Sequence, residues 1–138
     1  MKVKEFLKET YDVHPIYPGS NYDIQSVRPW IMCADGFYVS IQAGSTTYSI
    51  PRANVEEFEA VELGYPSMAD DLILPYAADF DSPTETVYGY VPIDIVEQLV
   101  EKHGGIVRLL NREDREELWW DRVKRDFAIN SSPIMTEY

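Results

Sequence analysis

Asp35-Gly36 constrains the fold of this chain more than any other pair of its residues. It stands between two runs whose side chains alternate. In Trp30-Ile31-Met32-Cys33-Ala34, Ile31 and Cys33 face one way and Trp30 and Met32 the other. In Phe37-Tyr38-Val39-Ser40-Ile41-Gln42-Ala43, Phe37, Val39 and Ile41 share a face. A tight turn that matches the twist of its two strands needs positive φ, which Asp-Gly adopts at low cost. An antiparallel hairpin with one apolar face is predicted, and other parts of the chain must cover that face.

The covering elements are read from helical spacing. Residues 2–11 are predicted to form a short amphipathic helix, with Val3, Phe6, Leu7 and Tyr11 on one face and Lys2, Lys4 and Lys8 elsewhere. Pro15, Pro18 and Gly19 prevent its continuation. Tyr48-Ser49-Ile50 is expected to add a strand that Pro51 ends, and residues 58–63 another, with Val61 and Leu63 opposite Ala60 and Glu62. Ser67, three residues before Asp70, suggests a capped short helix through Leu72, Ile73 and Leu74. Residues 86–91 read as a further strand. Pro92 then occupies a favoured first helical position, and Ile93, Val96, Leu99 and Val100 form an apolar stripe. His103-Gly104-Gly105 closes this helix, with Gly104 suited to the left-handed position after it.

Asn111 is a good N-cap for a last helix from Arg112 to about Phe127. Glu113 and Asp114 suit the positive end of its dipole, and Arg122, Lys124 and Arg125 the negative end. Trp119, Val123 and Phe127 recur every four residues and are expected to dock on the sheet. The order predicts an α+β fold: an antiparallel sheet of about four to five strands with N-terminal, middle and C-terminal helices packed on it. One domain is expected over residues 1–129, with 130–138, which contains Ser-Ser-Pro, as a loosely held tail.

Charge narrows the function classes. The chain carries a formal net charge of -12, yet 45% of its residues are hydrophobic and 13% aromatic, too many for a disordered acidic segment. From Ala53 to Glu101 lie 12 of the 24 acids and none of the 12 lysines and arginines. Such a block repels nucleic acid and anionic membranes and attracts basic surfaces. Direct nucleic-acid binding and membrane association are therefore not expected. On the predicted middle helix, Asp94, Glu97 and Glu101 are three and four apart and share a face, with rises of about 4.5 and 6 Å. That spacing approximates phosphates along a strand. Glu57, Glu59, Asp70 and Asp71 extend the array, and these seven acids are the candidate partner-binding residues. A solvated helix face is the plainer reading of such acids, but ordinary surfaces intersperse both signs.

Little in the sequence suggests catalysis. Cys33 is the only cysteine, so no internal disulfide forms, and its place in an alternating strand suits a small core residue. His14 precedes a proline in a loop, and His103 sits at a helix end where the dipole favours its protonated form. Neither has zinc-site spacing, no glycine-rich phosphate loop precedes a helix, and Asp79-Phe80-Asp81-Ser82 lacks the oxygens of a calcium loop. Carboxylate pairs abound, but nothing selects one for glycoside hydrolysis. A non-enzyme without cofactor or metal is expected, located in the cytoplasm because the chain opens without a signal-like apolar run. Tyr88 and Tyr90 read as neighbours on one strand face, as core or as interface anchors. Trp119 and Trp120 point in different directions on a helix, so one is a candidate exposed anchor or dimer contact.

Several segments together resemble a family of small acidic proteins encoded on phages and integrated elements of gut bacteria. They are Ala34-Asp35-Gly36-Phe37, Val39-Ser40-Ile41-Gln42-Ala43, Tyr48-Ser49-Ile50-Pro51-Arg52, Val61-Glu62-Leu63-Gly64-Tyr65-Pro66-Ser67, Leu74-Pro75-Tyr76-Ala77, and the stretch from Thr86-Val87-Tyr88-Gly89-Tyr90-Val91-Pro92 to His103-Gly104-Gly105. The likeness spans roughly residues 1 to 106. The resemblance implies no catalytic residues. It implies a setting in which small acidic proteins inhibit host defence, as anti-CRISPR and anti-restriction proteins do. The expected partner is then the basic groove of a CRISPR effector, for example a Cas9-like nuclease, engaged by an acidic DNA mimic. The alternative is a structural or regulatory protein of the element, a homodimer that binds a host protein through its tyrosine-rich sheet.

Overall fold

A computed structural model describes residues 1–136 of the protein, with side chains to residue 128. The elements run in the order α1 (Val3–Glu9), β1 (Val13–Pro15), β2 (Asp23–Gln25), β3 (Trp30–Cys33), β4 (Tyr38–Gln42), β5 (Ala60–Gly64), a 3-10 turn (Leu74–Tyr76), β6 (Val87–Pro92), α2 (Ile93–Lys102), β7 (Ile106–Leu110) and α3 (Arg112–Thr136). The fold is α+β. A five-stranded sheet has the order β6-β5-β4-β3-β7, antiparallel throughout, and β1 and β2 pair in a small separate sheet.

The Asp35-Gly36 hairpin is the middle of the sheet. Ile31 pairs with Val39 and Met32 with Tyr38, while Gly36 sits at φ +93 and the Asp35 carboxylate accepts the Phe37 N–H at 2.9 Å. Ile31, Cys33, Phe37, Val39 and Ile41 are buried on one face with Val61 and Leu63 of β5. Val3, Phe6 and Leu7 of α1 and Ile93, Val96, Leu99 and Val100 of α2 complete this core, the two helical stripes read from spacing. His103 ends α2, and Gly104 follows at φ +94 with its α-hydrogen against Ala34, where a Cβ would lie 2.8 Å from the alanine Cβ.

Several expectations are corrected. Tyr48-Ser49-Ile50 is no strand; only Ile50 makes an isolated bridge, to Ala60, because the Ser49 hydroxyl folds the segment back onto the Gly44 and Pro51 carbonyls. The short helix after Ser67 is absent. The Ser67 hydroxyl accepts the Tyr38 N–H at 3.0 Å, Asp70 caps a turn through the Leu72 N–H, and Pro75 permits only one 3-10 turn. Tyr88 and Tyr90 do not share a face. Val61 pairs with Val91 and Leu63 with Tyr88, so Gly89 and Tyr90 together oppose Glu62 in a bulge. Tyr90 takes φ +53 and turns outward, while Tyr88 is fully buried. Two elements were not foreseen: the β1–β2 hairpin and β7, which closes the sheet beside β3.

The last helix begins as expected. Asn111 Oδ1 accepts the Asp114 N–H at 2.9 Å, and Asp114 returns to the Asn111 N–H at 3.0 Å. It continues to Thr136, through part of the segment expected to be a tail; Glu137 and Tyr138 lie outside the described residues. Its expected docking face is wrong. Trp119, Val123 and Phe127 are exposed, at 55%, 36% and 74%. Arg115 and Arg122 meet the sheet instead, because the second sheet face offers aromatic rings to cations.

Candidate functional site

The acid block divides in space into committed and free carboxylates. Glu97 is committed. Its Oε1 accepts the N–H of Val3 at 2.8 Å and of Lys4 at 3.3 Å, serving as the N-terminal cap of α1, where Lys2 supplies no side-chain cap. A carboxylate there meets both the orphan amides and the positive end of the helix dipole. The ladder expected on α2 therefore loses its middle rung. Asp94 and Glu101 remain exposed, about 10 Å apart along the axis.

The sequence block without bases is not without bases in space. Packing of α1 on α2 sets Lys2 and Lys4 in one groove with Asp94, Glu97 and Glu101. Lys8 pairs with Glu57 at 3.2 Å, both well exposed, and Glu59 lines the same neighbouring cleft. Asp71 is exposed on the loop before the 3-10 turn. Asp70, beside it, is buried and unavailable to a partner. Of the 12 acids in the block, Glu57, Glu62, Asp70, Asp79 and Glu97 are engaged within the protein. Glu56, Glu59, Asp71, Asp81, Glu85, Asp94 and Glu101 are exposed and make no ion pair among the described residues.

Asp70 belongs to a buried polar cluster that residue spacing did not reveal. The His103 ring lies between two carboxylates, with Nδ1 2.6 Å from Asp35 Oδ2 and Nε2 2.9 Å from Asp70 Oδ2. Both ring nitrogens thus face a carboxylate oxygen within hydrogen-bond distance. Lys102 Nζ approaches the same Asp70 oxygen at 3.0 Å, and Phe37 stacks on the imidazole with centroids 4.0 Å apart. The Phe37 N–H and His103 hold the Asp35 carboxyl below its usual range. Burial pushes Asp70 up, but the Leu72 N–H, His103 and Lys102 outweigh it and leave it lowered. The cluster ties the hairpin turn, the loop at Asp70 and the end of α2 into one unit. Two residues before Asp35, the Cys33 thiol is pushed up to about 11 by burial and then by the Asp35 charge, so it stays protonated at neutral pH.

A second polar feature lies inside the N-terminal half. Arg28 is buried and, among the described residues, has no carboxylate partner. Its Nε donates to Thr10 Oγ1 at 2.9 Å, Nη1 donates to the Ala43 carbonyl, Nη2 has no partner, and the guanidinium lies 6.0 Å from the Phe58 ring centre. Desolvation pushes it down to about 10, which leaves it charged at neutral pH. It links the end of α1 to the end of β4, and it acts as a structural bracket.

The sheet face away from the core carries rings and cations. Trp30 stacks on Tyr65 with centroids 5.9 Å apart and leans on Tyr38 at 6.3 Å. From α3, the Arg115 guanidinium lies 5.0 Å over Trp30 and Arg122 donates to the Tyr38 hydroxyl at 3.2 Å. Leu118 and Trp119 border the resulting cleft of about 170 Å³. Alternation in β3 and β4 marks these rings as the second face, but their pairing with arginines is set by α3, some 80 residues on.

Comparison of the chain with protein-family models, curated proteins and solved structures finds no match. Among the described residues no group of three or more histidine, cysteine, aspartate or glutamate side chains is placed to hold a metal, and no helix is long and apolar enough to cross a membrane.

Proposed function

We propose that this protein is a non-catalytic binding protein whose exposed carboxylates occupy a basic, nucleic-acid-binding surface of another protein as a partial nucleic-acid mimic. The observation that carries it is the seven exposed acids from Glu56 to Glu101 that have no partner among the described residues, on a packed body. Held on bends, turns and a helix, they lose less conformational entropy on binding than an acidic tail does. The resemblance to mobile-element proteins sharpens the partner to a host-defence nuclease in the bacterial cytoplasm, with a CRISPR effector of the Cas9 type as the leading candidate. Arginines that read a short duplex motif or line a heteroduplex channel are the surface such acids fit.

The seven acids named from the sequence reduce to four free ones for this purpose: Glu59, Asp71, Asp94 and Glu101. Glu97→Gln would disturb the α1 cap and confound binding with folding. The informative variant is therefore Asp71→Asn, Asp94→Asn and Glu101→Gln together. The experiment is competition between the protein and target DNA for a purified Cas9-type effector at low and raised salt. Displacement of DNA that weakens at least about tenfold between roughly 50 and 200 mM salt, and again in the triple variant, is expected. Absence of competition would remove the effector as partner, and competition indifferent to salt would remove the mimicry.

A further inference from the structure

The small β1–β2 sheet stands apart from the core and ends in an apolar tip. None of residues 11–27 joins the hydrophobic core of the described residues. Val13 pairs with Gln25 and His14 with Ile24, and the pairing continues past the strands, where the Ile16 N–H donates to the Tyr22 carbonyl at 3.0 Å. Ile16 and Tyr22 therefore share a face with Ile24. Tyr17 stands in the turn, where its carbonyl accepts the Ser20 N–H at 3.0 Å and Gly19 takes φ +86. Ile16, Tyr17 and Tyr22 are 56%, 63% and 74% exposed. A lone two-stranded hairpin is marginal in water, and polar ties hold the base of this one. Gln25 Nε2 donates to the Thr10 carbonyl at 2.9 Å, Gln25 Oε1 accepts the Asp12 N–H at 3.2 Å, and Asn54 Nδ2 donates to the Asp23 carbonyl at 3.1 Å.

We infer that this tip is the apolar anchor by which the protein seats in a hydrophobic pocket of a protein partner, a pocket rimmed by lysine or arginine. Charge chooses the occupant. Residues 11–27 carry Asp12 and Asp23, both exposed, and no lysine or arginine. A second copy would bring the same two acids and the same net charge of -12 to that rim. The bond from Asn54 also sets Asp23, with Tyr22 beside it, at the start of the acid block. Exposed Glu56 is two residues beyond Asn54, so its backbone lies within about 7 Å of that residue. Area fixes what the tip does. Two tyrosines of about 200 Å² each at these exposures, with Ile16, present on the order of 300 Å², well under the ~800 Å² that each side of a stable interface uses. The tip is therefore an anchor inside a larger contact, and the inference rests on the reading that the neighbouring acids meet a basic partner. The acids supply attraction that salt screens. The tyrosines supply a fit that salt leaves alone and that selects which basic surface is bound.

The experiment is the same competition with target DNA for a purified Cas9-type effector, run with Tyr17→Ala, Tyr22→Ala and Tyr22→Phe. Each alanine variant is expected to weaken competition at least about tenfold, by the same factor at roughly 50 and 200 mM salt, and Tyr22→Phe to keep it. The triple acid variant instead loses less against the wild type as salt rises, which separates the two contributions. Tyr22→Ala touches the cross-strand pair with Ile16, whereas Tyr17→Ala alters only the exposed turn. Hydrogen exchange over residues 13–25 checks that the hairpin survives in both. Competition that both alanine variants retain, or a loss that vanishes at raised salt, overturns the anchor and leaves the acid mimic standing. No competition by the wild type at either salt overturns the mimic and the anchor with it.

Discussion

One face of the five-stranded sheet is covered by aliphatic and aromatic side chains of α1 and α2; the other is covered by α3 through cations laid on aromatic rings. The first cover interlocks Val3, Phe6, Leu7, Val96 and Leu99 with Ile31, Val39, Ile41, Val61 and Leu63, all essentially inaccessible to solvent. The second rests on Arg115 over Trp30 and Arg122 at the Tyr38 hydroxyl, with Trp119 and Trp120 still largely exposed. Full aliphatic burial contributes about 1.5–3 kcal/mol per large side chain, whereas a cation over an exposed ring gives about 0.5–1. The two helical covers therefore differ in kind. The α1–α2 side is expected to belong to the cooperative unit, and α3 to open without unfolding it.

The largest expected effect breaks the strong side. Leu99→Ala should cost about 2–5 kcal/mol and lower the urea midpoint of the whole molecule, α3 included. Were α3 to keep its structure in a chain whose sheet had melted, the dependence would run the other way. Asp70→Asn is next, at about 2 kcal/mol, because it removes the buried negative charge that faces both His103 and Lys102.

The same cluster sets an acid dependence. Asp35 and Asp70 are both held below their ordinary value of 3.8, so near that pH the native state binds fewer protons than the unfolded chain. Their contribution is complete above about pH 4 and is lost as pH falls through the lowered native values. Thermal unfolding between pH 2 and 5 should show this loss, and Asp70→Asn should flatten it. The smallest effect sharpens the contrast itself. Arg115→Ala with Arg122→Ala should cost about 1 kcal/mol, and hydrogen exchange should quicken along α3 while α2 amides stay protected. Equal acceleration in both helices would erase the distinction between the two covers.

The strong side was legible because each of its signals is local. Asp35-Gly36, the alternation on either side of it and the stripe Ile93, Val96, Leu99, Val100 each lie within about ten residues, and each dictates which face turns inward. The strand β7 was not read, although Ile106-Val107 after Gly105 offers a β-branched signal bounded by Asn111. Its edge position leaves Val107, Arg108 and Leu109 exposed and hides any alternation. Gly89 inside a strand pattern was the available sign of the bulge that parts Tyr88 from Tyr90.

The candidate site was less legible because its chemistry is assembled across the chain. Asp35, Asp70 and His103 are joined only by the tertiary fold, and the lysines of α1 reach the acid block only when α1 packs on α2. The docking face of α3 failed for a related reason. Counting apolar residues selects Trp119, Val123 and Phe127, but the surface waiting for the helix was a set of π faces that suits guanidinium.

The cap that Glu97 gives to α1 also bears on how the protein is made. A helix of seven residues does not hold its shape alone in water, and the amides at its start are met by a carboxylate 94 residues further along the chain. On a ribosome, Val3 is made 94 residues ahead of the partner that meets its amide and waits for it. A segment made early is thus secured late, and the nascent chain must carry Phe6 and Leu7 uncovered until α2 has formed.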